Sequence, residues 1–141
     1  MSFQETYQQG VRKVAARSIG GLCSRSLRFG LGMSLEELIL RHALDLPLDG
    51  IRREERAAGV MMLPIPADGV LREVRGLEEA RAVEGIGGVE ITVPMGRRVR
   101  PLPEGDRYLG FLFAKADTPE AVEAALRRAH ALLDVEIEAE L

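Results

Sequence analysis

The stretch YLGFLFAKADTPEAVEAALRRAHALL, residues 108–133, decides the fold. Tyr108–Ala116 is apolar at consecutive rather than alternate positions, the composition of a central strand covered on both faces. Thr118 then offers a capping hydroxyl, and Pro119 sits where the first turn of a helix loses nothing by lacking an N–H. The spacing predicts a helix from Pro119 to about Leu133, burying Ala121, Val122, Ala125, Leu126, Ala129 and Leu132.

Downstream, VEIEAEL places Val135, Ile137, Ala139 and Leu141 on one face and three glutamates on the other, which predicts a strand with one face in water. Upstream, VEITV at 89–93 alternates cleanly, with Val89, Ile91 and Val93 together. RRVRPLPEGD, residues 97–106, reads as a basic loop or short strand. Glu84-Gly85-Ile86-Gly87-Gly88 follows a short predicted helix, Leu77–Val83, and is read as a turn, since a nucleotide loop needs the opposite strand-to-helix order. GVMMLPIP, residues 59–66, reads as a strand, and GVLREVRG, residues 69–76, as its return in a hairpin across the Ala67-Asp68-Gly69 turn.

Closer to the start, Ser34-Leu35-Glu36-Glu37 is a capping box, so a helix is expected over about 35–46 and must stop before Pro47. Leu35, Leu38, Ile39 and His42 form its apolar stripe, which makes His42 a core or half-buried imidazole. Val11–Ala16 is read as the first strand, and residues 1–10 as a leader of low order. Together these elements predict a single α+β domain over residues 11–141, with a mostly antiparallel or mixed sheet and about three helices packed on it.

Composition narrows the function classes. A hydrophobic content of 46%, charged residues at 29% and a net charge of −3 describe an ordinary globular chain with no global field for nucleic acid or anionic membrane. The lone Cys23 forms no internal disulfide, and no apolar run reaches the roughly 20 residues of a membrane span, so a cytoplasmic protein is expected. His42 and His130, each in a predicted helix, make no zinc pattern with Cys23. Paired glutamates at 36–37, 54–55 and 78–79 suit helix first turns or solvent.

One segment suggests chemistry. In VRKVAARSIGGLCSRSLRFG, residues 11–30, a strand runs into Arg17, then Gly20 and Gly21, then Ser24, Arg25, Ser26 and Arg28. Glycines let backbone amides approach an oxyanion, and an Arg fork suits carboxylate or phosphate. A tight turn beside a surface Arg accounts equally for the same residues.

The ordered segments AARSIGGLCSRSLRFGLGMSLEELILRHAL, AAGVMMLPIPADGVLREVRGLEEA and GVEITVPMGRRVRPLPEGDRYLGFLFAKADTPEAVEAALRRAHALL resemble the carboxy-terminal part of ATP-grasp carboxylate–amine ligases, of the biotin-carboxylase-like group that includes the L-amino-acid ligases. The resemblance implies a reaction in which ATP and magnesium activate a carboxylate for attack by an amine. It assigns Arg17, Gly20 and Gly21 to the substrate-binding grip and puts Lys13 where the family carries a magnesium-binding carboxylate. An ammonium there removes an oxygen ligand and repels the ion. The phosphate-gripping lysines and adenine pocket of such ligases belong to upstream domains, so the isolated chain is expected to be non-catalytic, without cofactor, and to need ATP-grasp core domains or a partner chain. The alternative is a stand-alone binding or homo-oligomerisation module that associates through an exposed strand. A third reading, a small enzyme using Cys23 or His42, lacks a histidine in the same element as the cysteine.

Overall fold

The computed structural model describes residues 22–29 and 32–139. The leader, the Val11–Ala16 strand, Lys13, Arg17, Gly20, Gly21 and Leu141 lie outside the described residues.

A 3₁₀ turn at Cys23–Ser26 is followed by a minimal hairpin of β1 (Arg28–Phe29) and β2 (Met33–Ser34), then α1 (Leu35–Ala43). Next come β3 (Ala57–Leu63), β4 (Gly69–Arg75), α2 (Leu77–Arg81), β5 (Ile86–Ile91), β6 (Arg98–Val99), β7 (Gly110–Ala116), α3 (Pro119–Ala131) and β8 (Asp134–Glu138). The larger strands form two antiparallel three-stranded sheets, in the orders β3-β7-β5 and β6-β4-β8. The fold is α+β, as the patterning predicts.

β7 is the central strand of the first sheet, with Gly59 opposite Ala114 and Leu63 opposite Gly110 on the β3 side. α3 covers one face. Thr118 Oγ1 accepts from the Ala121 amide at 3.2 Å, and Val122, Ala125, Leu126 and Ala129 are buried. Gly59 explains the close approach of the helix: a Cβ built there would stand 2.8 Å from Val122 Cγ1. Ala121 and Leu132, also assigned to the buried stripe, are exposed. Ala121 lies in the first turn beside the cap, and Leu132 is already the residue that caps the helix C-terminus.

Three expectations about pairing and boundaries are corrected. β3 and β4 are not a hairpin, because β4 belongs to the other sheet, between β6 and β8. Pro64 and Pro66 have no N–H for a ladder, and the chain between them turns Ile65 into the core at 5% exposure instead. Gly87 and Gly88 are not in a turn. They lie within β5, where the register shifts between Ile86 and Gly88, so Gly87 is the additional residue of a bulge. α1 stops at Ala43 rather than Leu46, because Asp45 adopts φ 55° and the amides of Asp45 and Leu46 return to His42 O and Arg41 O at 3.2 and 2.9 Å. That is a Schellman-type end with Asp45 in the left-handed position. The capping box is half made: Ser34 Oγ accepts from the Glu37 amide at 3.1 Å, while the Glu37 carboxylate pairs with Arg41 at 3.0 Å.

The second sheet closes with Leu71 opposite Ile137 and Val74 opposite Val135. Its outer face carries the glutamates of β8 as paired groups: Glu138 meets Arg72, and Arg75 meets both Glu136 and Asp134. These pairs are exposed and add little stability individually. Leu63, Leu71, Leu109 and Leu112 are the most deeply buried large side chains, and one hydrophobic cluster joins both sheets, α2 and α3.

Candidate functional site

On the face of the first sheet marked by Phe113, the Cys23–Arg28 segment packs on β3 and β7 and, with β5, lines a cleft of about 410 Å³. Its floor is the half-buried Phe113, which stacks on Phe111 with 6.4 Å between ring centroids. Gly88 lies opposite Phe113, and a Cβ built there would already touch the ring at 3.4 Å.

Cations line the upper wall. Arg25 lies over the Phe113 ring, 5.9 Å from its centroid, and pairs with Glu90 of β5. Lys115 of β7 pairs with Glu54 at 2.9 Å, and the Glu54 amide donates to Arg28 O, also at 2.9 Å, which ties the wall to the connection before β3. Arg28 Nη1 donates to Leu27 O at 3.1 Å, with no carboxylate paired to it among the described residues. Ser26 Oγ donates to Cys23 O at 2.7 Å, stabilising the turn that carries both arginines. The cleft can therefore take an oxyanion at Arg28 and an apolar group on Phe113.

Of the residues following the Arg–Gly–Gly stretch, Arg25, Ser26 and Arg28 line this cleft, whereas Ser24 is buried at 7% exposure. Cys23 is half-buried in the same turn, and neither histidine lines the cleft. His42 is exposed rather than part of a core: of the stripe on which it lies, Leu35 and Leu38 are half-buried, whereas Ile39 and His42 are exposed. His130 is exposed in the last turn of α3, where an imidazole suits the helix dipole. Among the described residues no group of three or more Asp, Glu, His or Cys side chains is placed to hold a cation, and Glu54 and Glu90 pair with Lys115 and Arg25. No described helix is long and apolar enough to cross a membrane.

A second, more open groove of about 690 Å³ lies along the arginine-rich loop beside β6. Arg98, Arg100 and Arg107 are paired within the loop and the adjoining turn. Arg100 and Arg98 reach Asp68 at 2.7 and 3.5 Å, and Arg107 holds Asp106 through two bonds of 2.6 Å. The hydrogen bond from Arg100 holds the Asp68 carboxyl below its ordinary value of 3.8, with the Arg98 charge adding to it. Because the folded value is depressed, this contribution is complete above 3.8 and fades as the pH falls through the lower, folded value. An NMR titration should place the Asp68 midpoint below 3.8, and Arg100→Ala should return it towards that value.

Residues 61–138 match the family model of the L-amino acid ligase C-terminal domain 2. The chain belongs to that family. The crystal structure of an L-amino acid ligase from Bacillus licheniformis has the same fold, with a TM-score of 0.66 and 24% identity over 81% of this chain. The match takes in 28% of that ligase chain, so the present chain corresponds to little more than a quarter of its length. No curated protein sequence matches. The likeness to the C-terminal region of L-amino-acid ligases drawn from the sequence thus holds over the two-sheet body.

Proposed function

We propose that the chain acts as the substrate-side, C-terminal domain of an ATP-dependent carboxylate–amine ligase and is not catalytic alone. The family match over residues 61–138 carries the reading. The cleft supports it, since a guanidinium beside an aromatic floor suits the carboxylate and side chain of an amino acid. Arg17, Gly20 and Gly21, which precede this wall in the sequence, would supply the remaining grip. ATP and magnesium would be held by ATP-grasp core domains, and residues 11–141 would act as one domain in a cytoplasmic enzyme.

The test is to add the 141-residue chain to a matching ATP-grasp core polypeptide and to measure amino-acid-dependent ADP release. Release should require both components. Arg28→Ala should lower kcat/KM for the acid by about 10- to 100-fold, the effect of losing a hydrogen bond to a charged group. No gain in ADP release on mixing would reject the reading.

A further inference from the structure

The groove beside β6 shares no lining residue with the cleft on the first sheet. The guanidinium groups of Arg97, Arg98, Arg100 and Arg107 line it, together with Glu104 and Asp106. Asp68 is not part of the lining, yet it holds both Arg98 and Arg100. Asp106 takes two bonds from Arg107, and the Arg107 hydrogen bond, with the Arg97 charge adding to it, keeps the Asp106 carboxyl below its ordinary 3.8. Arg97 is exposed, and its guanidinium forms no hydrogen bond or ion pair among the described residues. Two guanidiniums on one carboxylate have more N–H groups than its oxygens accept, so these pairs orient the arginines without exhausting their donors. Backbone bonds fix both segments of the wall. The Leu71 amide donates to Arg97 O at 3.0 Å, the Gly105 amide donates to Pro101 O at 2.8 Å, and a Cβ on Gly105 would stand 2.1 Å from Arg100 O.

We propose that this groove binds a diphosphate group, as free pyrophosphate or as the diphosphate of a small ester. The inference does not depend on the ligase reading. The chain carries a net charge of −3, so attraction of an anion has to come from this local arrangement. Several oxygens around a multiple charge can meet several arginine forks at once, whereas a monocarboxylate engages one. A groove of about 690 Å³ also leaves room for more than a single anionic group. The aspartate pairs are exposed and individually weak, so a more highly charged ligand can compete for the same guanidiniums. Glu104 acts in the opposite sense: it lines the groove with no cation paired to it among the described residues, and it repels an anion there. Removing its charge should strengthen binding, while removing that of Arg97 should weaken it.

The test is a titration of the 141-residue chain with pyrophosphate at a constant ionic strength of about 0.15 M, where charges are screened beyond about 8 Å, following the arginine side-chain Nε–H signals by NMR. The signals of Arg97, Arg98, Arg100 and Arg107 should shift along one saturating curve. Arg97→Gln should weaken binding about tenfold and Glu104→Gln should tighten it. Arg128→Gln removes the same charge from α3 outside the groove and should leave the affinity within about twofold of wild type. All three positions are exposed, so circular dichroism melts should stay close to wild type. A nucleoside diphosphate that competes at equal affinity makes the diphosphate the group held in esters as well, and one that fails to compete leaves the free anion as the ligand. Shifts that do not saturate, or that added chloride reproduces, overturn the proposal. So do wild-type affinity in Arg97→Gln, a loss in Arg128→Gln as large as that in Arg97→Gln, weaker binding in Glu104→Gln, or binding of the nucleoside diphosphate without pyrophosphate.

Discussion

Gly76→Ala should destabilise the domain by about 3–5 kcal/mol, among the largest effects of a single methyl group in this fold. Gly76 joins β4 to α2 with φ 80°, and its carbonyl accepts the Ala80 amide at 2.9 Å, which starts the helix. A Cβ there would lie 1.9 Å from the backbone oxygen of Leu132, the residue that caps α3. Backbone on both sides of the collision leaves no flexible side chain to yield, so the end of α3 and the start of β8 must move. Gly96→Ala separates the two causes. Gly96 has the same φ of 80° but open space around its Cβ position, so only the left-handed penalty of about 1–2 kcal/mol applies. Urea denaturation of the two variants should therefore show a clear excess for Gly76. Equal losses would mean that the α3 end accommodates the methyl group.

What could be read in advance follows the range of the forces involved. The consecutive apolar residues of Tyr108–Ala116 and the Thr118-Pro119 cap act within a few residues, and both elements form as their local chemistry requires. Partition of the strands between two sheets is a matter of long-range pairing. The Pro64-Ile65-Pro66 step looked like the end of a hairpin arm, yet it carries the chain from one sheet to the other because Ile65 finds the core between two residues that cannot join a ladder. Gly87 was read as part of a turn, because a glycine cluster before a strand carries no local sign of a bulge; the pairing with β7 shows one.

The site divides in the same way. Residue type left the serines and arginines after Gly21 level between anion binding and a plain turn, and Arg25, Ser26 and Arg28 line the cleft. Glu90, Lys115, Glu54 and Phe113 had no local signal, since folding brings them there from three separated parts of the chain. For α1 the periodicity marked Leu35, Leu38, Ile39 and His42 as one stripe, of which Leu35 and Leu38 are half-buried and the other two exposed. His42 shows the limit: it lies on that stripe and is in water.

Leu112→Ala and Leu71→Ala test whether the two sheets are one cooperative unit. Both side chains are fully buried, Leu112 on the central strand of the first sheet and Leu71 on the central strand of the second. Each truncation should cost about 2–5 kcal/mol, the sum of lost burial and the cavity left behind. The same hydrophobic cluster contains Leu112 and Leu71 together with Val122, Leu126 and Ala129 of α3. Loosening either sheet therefore removes packing from the other. Each variant should unfold in a single transition at a lower urea concentration, with fluorescence-independent probes such as circular dichroism and amide exchange coinciding. Met95→Ala, at a half-exposed position outside the cluster, should stay within about 0.5 kcal/mol of wild type. If Leu71→Ala instead split the transition in two, with the β3-β7-β5 sheet retaining its wild-type midpoint, the shared cluster would be contact between two independent units. A single shifted transition in both variants would make the rigid two-sheet body the support that holds Phe113 and Lys115 beneath the arginines of the cleft.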